Sequence, residues 1–266
     1  MASTHRRRGR SGAGRELPVD EYARFDLGRP ERTGIPEVIL AEGKAPDQVL
    51  GILAALARAG RGAFVSRVGP ALEQRLTGWR PPRAALTFDA RARVAILSGP
   101  LADGVRREGL VAILTAGTAD VPVAEEARLL LEAAGARVET RYDVGVAGLH
   151  RLHRALEQLV PLRPRLYLVF AGREGALPTV VAGLVRAPVI GVPTSQGYGR
   201  GGKGEAALGA MLQSCAALAV VNIDGAVPAA LFALQLLAHG TDRPRVRARS
   251  LRRGPRRGTP SPSRTL

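Results

Sequence analysis

Between residues 92 and 240 the chain alternates short apolar runs with segments of helical spacing. RVAILSG (93–99) and LVAILTAG (110–117) are β-branched, bounded by glycine and of strand length. VPVAEEARLLLEAAG (121–135) follows, with Val123, Ala127, Leu130, Leu131 and Ala134 at helical spacing and Gly135 as a stop. The alternation then repeats. ARVETRYDVG (136–145) reads as a strand and LHRLHRALEQLV (149–160) as a helix closed by Pro161; LYLVFAG (166–172) is a strand and EGALPTVVAGLV (174–185) a helix. APVIGVPTS (187–195) leads through a glycine-rich loop into a helix over EAALGAMLQSCAA (205–217). LAVVNID (218–224) and PAALFALQLLAHG (228–240) are the last strand and helix.

Strands apolar on both faces, alternating with helices, imply a parallel sheet covered on both sides. Short connections and right-handed crossovers make it a doubly wound α/β fold. In such a sheet ligands bind beyond the carboxyl ends of the strands. Those ends fall at 98–99, 115–120, 143–148, 171–174 and 193–204, which hold most of the polar and glycine residues of this region.

Residues 16–90 follow another pattern. APDQVLGILAALARAG (45–60) is an amphipathic helix, while FVSRVG (64–69) and AALTFD (84–89) are strand-like. The polar, glycine-rich stretch at 28–46 reads as functional or interfacial. The predicted organisation is a small amino-terminal α/β domain (16–90), a larger α/β domain (91–240) and two basic tails (1–15 and 241–266).

Charge sharpens the assignment of the tails. The 266 residues carry a formal net charge of +16, but five arginines lie in residues 1–15 and nine in 241–266, against a single acid, Asp242. The body of the chain is therefore close to neutral. Both ends lack apolar periodicity and are expected to be disordered. Basic tails attract polyanions with strong salt dependence, yet with only two lysines in the chain the bias looks compositional. No specific nucleic acid is expected. The sequence offers neither a bilayer-length apolar run nor a signal-peptide stretch, and its single cysteine cannot form an internal disulfide. A cytoplasmic enzyme with no membrane attachment is the expectation.

Several segments carry candidate chemistry. GYGRGGKG (197–204) nearly spells a phosphate loop, but Gly204 stands where a Ser or Thr must hold magnesium, so a nucleotide triphosphatase is excluded. Its glycines suit either a plain turn or a backbone approach to an anion. Thr118 and Asp120 can cap the helix starting near Pro122, or else meet phosphate, ribose or magnesium. Cys215, at a predicted helix end, reads as an inert core residue unless a cationic partner stabilises its thiolate. His150 and His153 share a helix face but lack further ligands for a metal. Glu174 sits at a helix start, where the dipole favours a carboxylate.

Taken together, ILTAGTADVPVAEEA, DVGVAGLHRL, AGREGALPTVVAGLV, PVIGVPTSQGYGRGGKGEAALGAMLQSCA and VVNIDGA resemble the LarB family of nickel-pincer cofactor biosynthesis. GRPERTGIPEVILAEGKAPDQVLGIL resembles its amino-terminal region, and the likeness spans about residues 20–230. The family's carboxy-terminal domain is similar to the aminoimidazole ribonucleotide carboxylase/mutase of purine synthesis, a flavodoxin-like fold usually assembled as an octamer. The resemblance implies a homo-oligomer that takes nicotinic acid adenine dinucleotide, CO2 (or bicarbonate as its source) and water. The implied products are pyridinium-3,5-biscarboxylic acid mononucleotide and AMP. It further implies Cys215 as nucleophile, Glu174 in orienting the ring or managing its proton, His150 in phosphate contact or proton transfer, and Thr118 and Asp120 at phosphate, ribose or a magnesium ion. Ser195, Gly197, Tyr198 and Gly199 would line the substrate site. Two departures stand out: Arg173 replaces a commonly apolar residue, and Ala226-Val227-Pro228 replaces a glycine-containing turn.

Two other readings remain open on the sequence. One is an aminoimidazole ribonucleotide carboxylase or mutase, which needs neither a cysteine nucleophile nor the amino-terminal domain. The other is a non-enzymatic binder of nucleic acid acting through the tails.

Overall fold

A computed structural model describes residues 15–102, 105 and 107–239. Apart from Arg15, both expected disordered tails lie outside the described residues. Arg15 itself is held: its carbonyl accepts from Gly28 N–H at 3.2 Å, and its guanidinium faces Glu31 at 3.4 Å.

An antiparallel pair, β1 (Glu16–Val19) and β2 (Ala23–Asp26), turns through Asp20 in the left-handed region (φ 47) that Asp tolerates better than most residues. After it come α1 (Arg29–Thr33), β3 (Val38–Leu40), α2 (Pro46–Arg58), β4 (Ala63–Ser66), α3 (Pro70–Gly78), β5 (Leu86–Asp89) and β6 (Val94–Leu97). The last four strands form one mixed sheet in the order β3-β4-β6-β5.

Side chains alternate across a strand, and here the alternation sorts two cores. Ala63 and Val65 of β4, with Ala95 and Leu97 of β6, join the apolar face of α2. Phe64 and Val94 point the other way, into the core of the larger domain. The amino-terminal sheet is thus a wall shared by both cores. β6 was expected to belong to the larger domain, with a boundary at 90/91. It pairs antiparallel with β4 and β5 instead, so the boundary falls after Leu97. Its apolar run has strand length in either location, which is why sequence pattern alone misplaces it.

The larger domain runs β7 (Leu110–Thr115), α4 (Val121–Ala133), β8 (Arg137–Arg141), α5 (Leu149–Leu159), β9 (Leu166–Ala171), α6 (Ala176–Leu184), β10 (Val189–Pro193), α7 (Glu205–Leu212), β11 (Ala219–Val220) and α8 (Ala226–His239). Every β7, β9 and β10 residue is buried, as strands covered on both faces require. All pairings are parallel, in the order β11-β10-β9-β7-β8. Helices α5, α6 and α7 cover one face, α4 and α8 the other. The architecture is a doubly wound α/β fold of flavodoxin type, with its switch point between β7 and β9.

One predicted helix shortens in a way that matters. The spacing over 205–217 suggests a helix carrying Cys215, but α7 stops at Leu212, with Gln213 N–H capping back to Gly209. Cys215 lies beyond it, exposed, in the turn before β11. No helix among the described residues is long and apolar enough to cross a membrane.

Candidate active site

At the switch point the segments following β7, β8, β9 and β10 enclose a cleft of about 490 Å³, within the usual range for a small-ligand site. Its floor is set by Asp120, only 4% exposed. Asp120 Oδ1 accepts a hydrogen bond from Thr194 Oγ1 at 2.5 Å, and Oδ2 accepts from Gly117 N–H at 2.8 Å. Burial pushes this carboxyl above the usual aspartate range, against the opposing pull of its donors. Neither Thr118 nor Asp120 caps α4 through its side chain, contrary to expectation. The carboxylate turns inward because two donors meet it there, and Thr118 is exposed.

Glu174 and Arg173, just past the end of β9, also line the cleft, together with Tyr198. Arg173 stacks on the Tyr198 ring with its guanidinium carbon 4.7 Å from the centroid, a cation–π contact, and its Nε lies 3.8 Å from Glu174. Arg151, on α5, brings a second cation to the lining and is held by Asp143 at 2.5 Å.

Of the glycines in 197–204, Gly197, Gly201 and Gly204 serve close packing, whereas Gly199 and Gly202 face open space. A Cβ on Gly172 would strike the Gln196 carbonyl, and one on Gly201 would press on the Arg173 backbone at 3.1 Å. Only glycine lets the loop after β10 lie flat on the turn after β9, where Arg173 N–H donates to Gln196 O at 3.2 Å.

Of the residues expected at the site, the structure brings Asp120, Glu174, Gly197 and Tyr198 together around this cleft. Thr118, Gly199, His150 and Cys215 do not line it; His150 is exposed on the first turn of α5. Ser195 opens instead on a second cleft of about 340 Å³ between the two domains, which shares Gln196 with the first. Arg151 and Thr194 were not anticipated. Arg151 is one arginine among many, and Thr194 looks like an ordinary strand end until its hydroxyl is seen on Asp120.

The expected magnesium ligand does not fit either. Both oxygens of Asp120 are engaged by protein donors, and among the described residues no group of three or more His, Cys, Asp or Glu could hold a metal ion. Magnesium in such a cleft would be held by substrate phosphates and water rather than by a cage of side chains.

A switch-point cleft carrying a buried acid, a second carboxylate and two arginines is a ligand site of the kind that doubly wound α/β folds carry. Comparison with known proteins narrows this class. The AIR carboxylase model matches residues 110–255 and the LarB/PurE-like N-terminal domain model residues 18–99. The chain belongs to the LarB family, with a PurE-like carboxy-terminal domain. An uncharacterized protein of Methanocaldococcus jannaschii is 38% identical over 81% of this chain and 84% of its own length. The N5-carboxyaminoimidazole ribonucleotide mutase of Pyrococcus abyssi is 34% identical over 48% of this chain and 73% of its own. A crystal structure of Treponema denticola PurE is 28% identical, covering 44% of this chain and 73% of that one, with a TM-score of 0.38.

Proposed function

We propose that this protein carboxylates the pyridinium ring of nicotinic acid adenine dinucleotide at C5 and hydrolyses the phosphoanhydride. The products are pyridinium-3,5-biscarboxylic acid mononucleotide and AMP. A pyridinium ring is electron-poor and cannot attack CO2 by itself. Addition of the Cys215 thiolate at C4 converts it to a dihydropyridine whose C5 is an enamine-like nucleophile. C5 then bonds to the CO2 carbon. A base takes the C5 proton, the C4–S bond breaks with its electrons returning to sulfur, and aromaticity is restored. Glu174, open to the cleft, is assigned to the ring proton, and Asp120 to a ribose hydroxyl. Arg173 and Arg151 are the cations available to carboxylate or phosphate. Magnesium enters only as the counter-ion of the pyrophosphate, with no side chain assigned to it.

The observation that carries the reading is the presence, in one chain, of a switch-point cleft of carboxylase type and an exposed thiol in the QSCA segment. Cys215 does not line its own chain's cleft, so it serves the cleft of a second copy. Leu212, three residues before it, is 67% exposed, an apolar side chain suited to a covered surface. Homo-oligomerisation is thereby part of the mechanism. Cys215→Ala is expected to abolish carboxylation while leaving the circular dichroism and melting temperature unchanged. Turnover that persists in that variant rules out covalent catalysis by this sulfur.

The second reading, an aminoimidazole ribonucleotide carboxylase or mutase, is favoured by the Pyrococcus mutase match. The thiol and the amino-terminal domain are left without a task in it.

A further inference from the structure

The second cleft, at the junction of the two domains, has no role in the reaction as described. Its walls come from both domains: Arg67, Arg91 and Arg93 from the loops flanking β4 and joining β5 to β6, and Ser195, Gln196 and Asp224 from the loops after β10 and β11. Three acids also face it, each in a contact with the protein. Glu42 is ion-paired with Arg67 at 2.8 Å. Glu126 accepts from Ser66 Oγ at 2.5 Å, and its burial favours the neutral acid. Asp224 Oδ1 accepts from Ser195 N–H at 2.8 Å, while its carbonyl takes Arg67 at 3.2 Å. Arg91 and Arg93 are both exposed, and no ion pair holds either one among the described residues; Arg93 spends only its Nε, on Val68 O at 3.0 Å. Arg67, Arg93 and Asp224 all hold left-handed backbones, with φ between 52 and 55, a conformation that non-glycine residues adopt rarely and that gathers at binding sites.

From this arrangement we infer that the interdomain cleft is an adenylate site, in which Arg91 and Arg93 grip the phosphate of the AMP half of the dinucleotide. Guanidinium forks suit phosphate oxygens, and Ala92, Pro122 and Val123 give the base a short apolar wall. Because the clefts meet at Gln196, a dinucleotide can lie with its nicotinate half in the first and its adenylate half in the second. The amino-terminal domain then has a chemical purpose: it supplies a second phosphate grip, beside the arginines of the first cleft. The inference rests on the proposed dinucleotide substrate for its meaning, but not for its test.

The test is calorimetric titration of the full-length protein with AMP, and separately with adenosine, in the parent and in Arg91→Ala/Arg93→Ala. The expected result is saturable AMP binding, weakened at least tenfold in the double variant, with adenosine binding weaker than AMP in the parent. Should the double variant fail to fold, Arg91→Ala alone carries the comparison. AMP affinity unchanged by the substitutions, no AMP binding at millimolar concentration, or adenosine bound as tightly as AMP overturns the assignment. AMP binding that depends on these arginines in a protein that does not carboxylate the dinucleotide upholds the site and discards the carboxylation reading.

Discussion

Thr194 Oγ1 donates to Asp120 Oδ1 at 2.5 Å, joining residues 74 apart in sequence at the point where β7 and β10 both end. The hydroxyl is one of the donors that make a buried carboxyl tolerable on the cleft floor. Thr194→Val keeps the shape and removes the donor. Leaving a buried polar group short of a partner costs about 1–3 kcal/mol, so urea unfolding at pH 7 should show a loss of that order. A difference within a few tenths of a kcal/mol would mean that the bond contributes little.

Ser66 and Glu126 make the corresponding contact across the domain boundary, again at 2.5 Å, with Ser66 1% and Glu126 6% exposed. Burial lifts the Glu126 carboxyl above 4.5, more than its hydrogen bond and the nearby Arg67 and Arg93 lower it. The folded protein therefore keeps a proton that the unfolded chain releases. The stability this proton confers is complete below pH 4.5 and is lost as pH rises through the folded-state value. Glu126→Gln stays uncharged throughout. Its unfolding free energy relative to the parent should rise as pH increases from about 4.5 to about 8, and a difference flat with pH would contradict this account.

Gly172 is the point where the two loops of the cleft touch. Gly172→Ala forces a methyl group against the Gln196 carbonyl, which is backbone and cannot swing aside. Gln196 lines both clefts, so the displacement should weaken substrate binding and catalysis together. Wild-type kinetics in this variant would show that the loop contact is dispensable.

The separation of Cys215 from its own cleft makes a subunit-mixing experiment informative. Cys215→Ala and Glu174→Gln are each expected to be inactive. Co-expressed, they give some clefts a normal Glu174 together with a normal Cys215 from the neighbouring copy, and activity should reappear. If the mixture stays as inactive as its parts, thiol and carboxylate must act from one chain.

The sheet was legible in the sequence because β7, β9 and β10 are apolar on both faces and the helices after them begin beside glycine or proline. The cleft was legible too, since in this topology it must lie beyond those strand ends. The amino-terminal half was harder. β1, β2 and β3 are three or four residues long and only partly buried, so no periodicity marks them. β6 has a readable strand pattern, but its pairing partners are set by the hairpin with β5 rather than by its composition. Asp120 reads from sequence either as a helix cap or as a ligand contact; its side chain accepts from Gly117 and Thr194 and lines the cleft, and nothing in the sequence marks Thr194 as its donor. The separation of Cys215 from the cleft was hidden because the apolar spacing of α7 continues past Leu212, where the helix ends.

The most direct measurement is mass spectrometry of the products formed from nicotinic acid adenine dinucleotide and carbon-13 bicarbonate. The expected products are a pyridinium mononucleotide carrying one labelled carboxylate and AMP. An unchanged dinucleotide, alongside label exchanged into the carboxylate of aminoimidazole ribonucleotide, would contradict it.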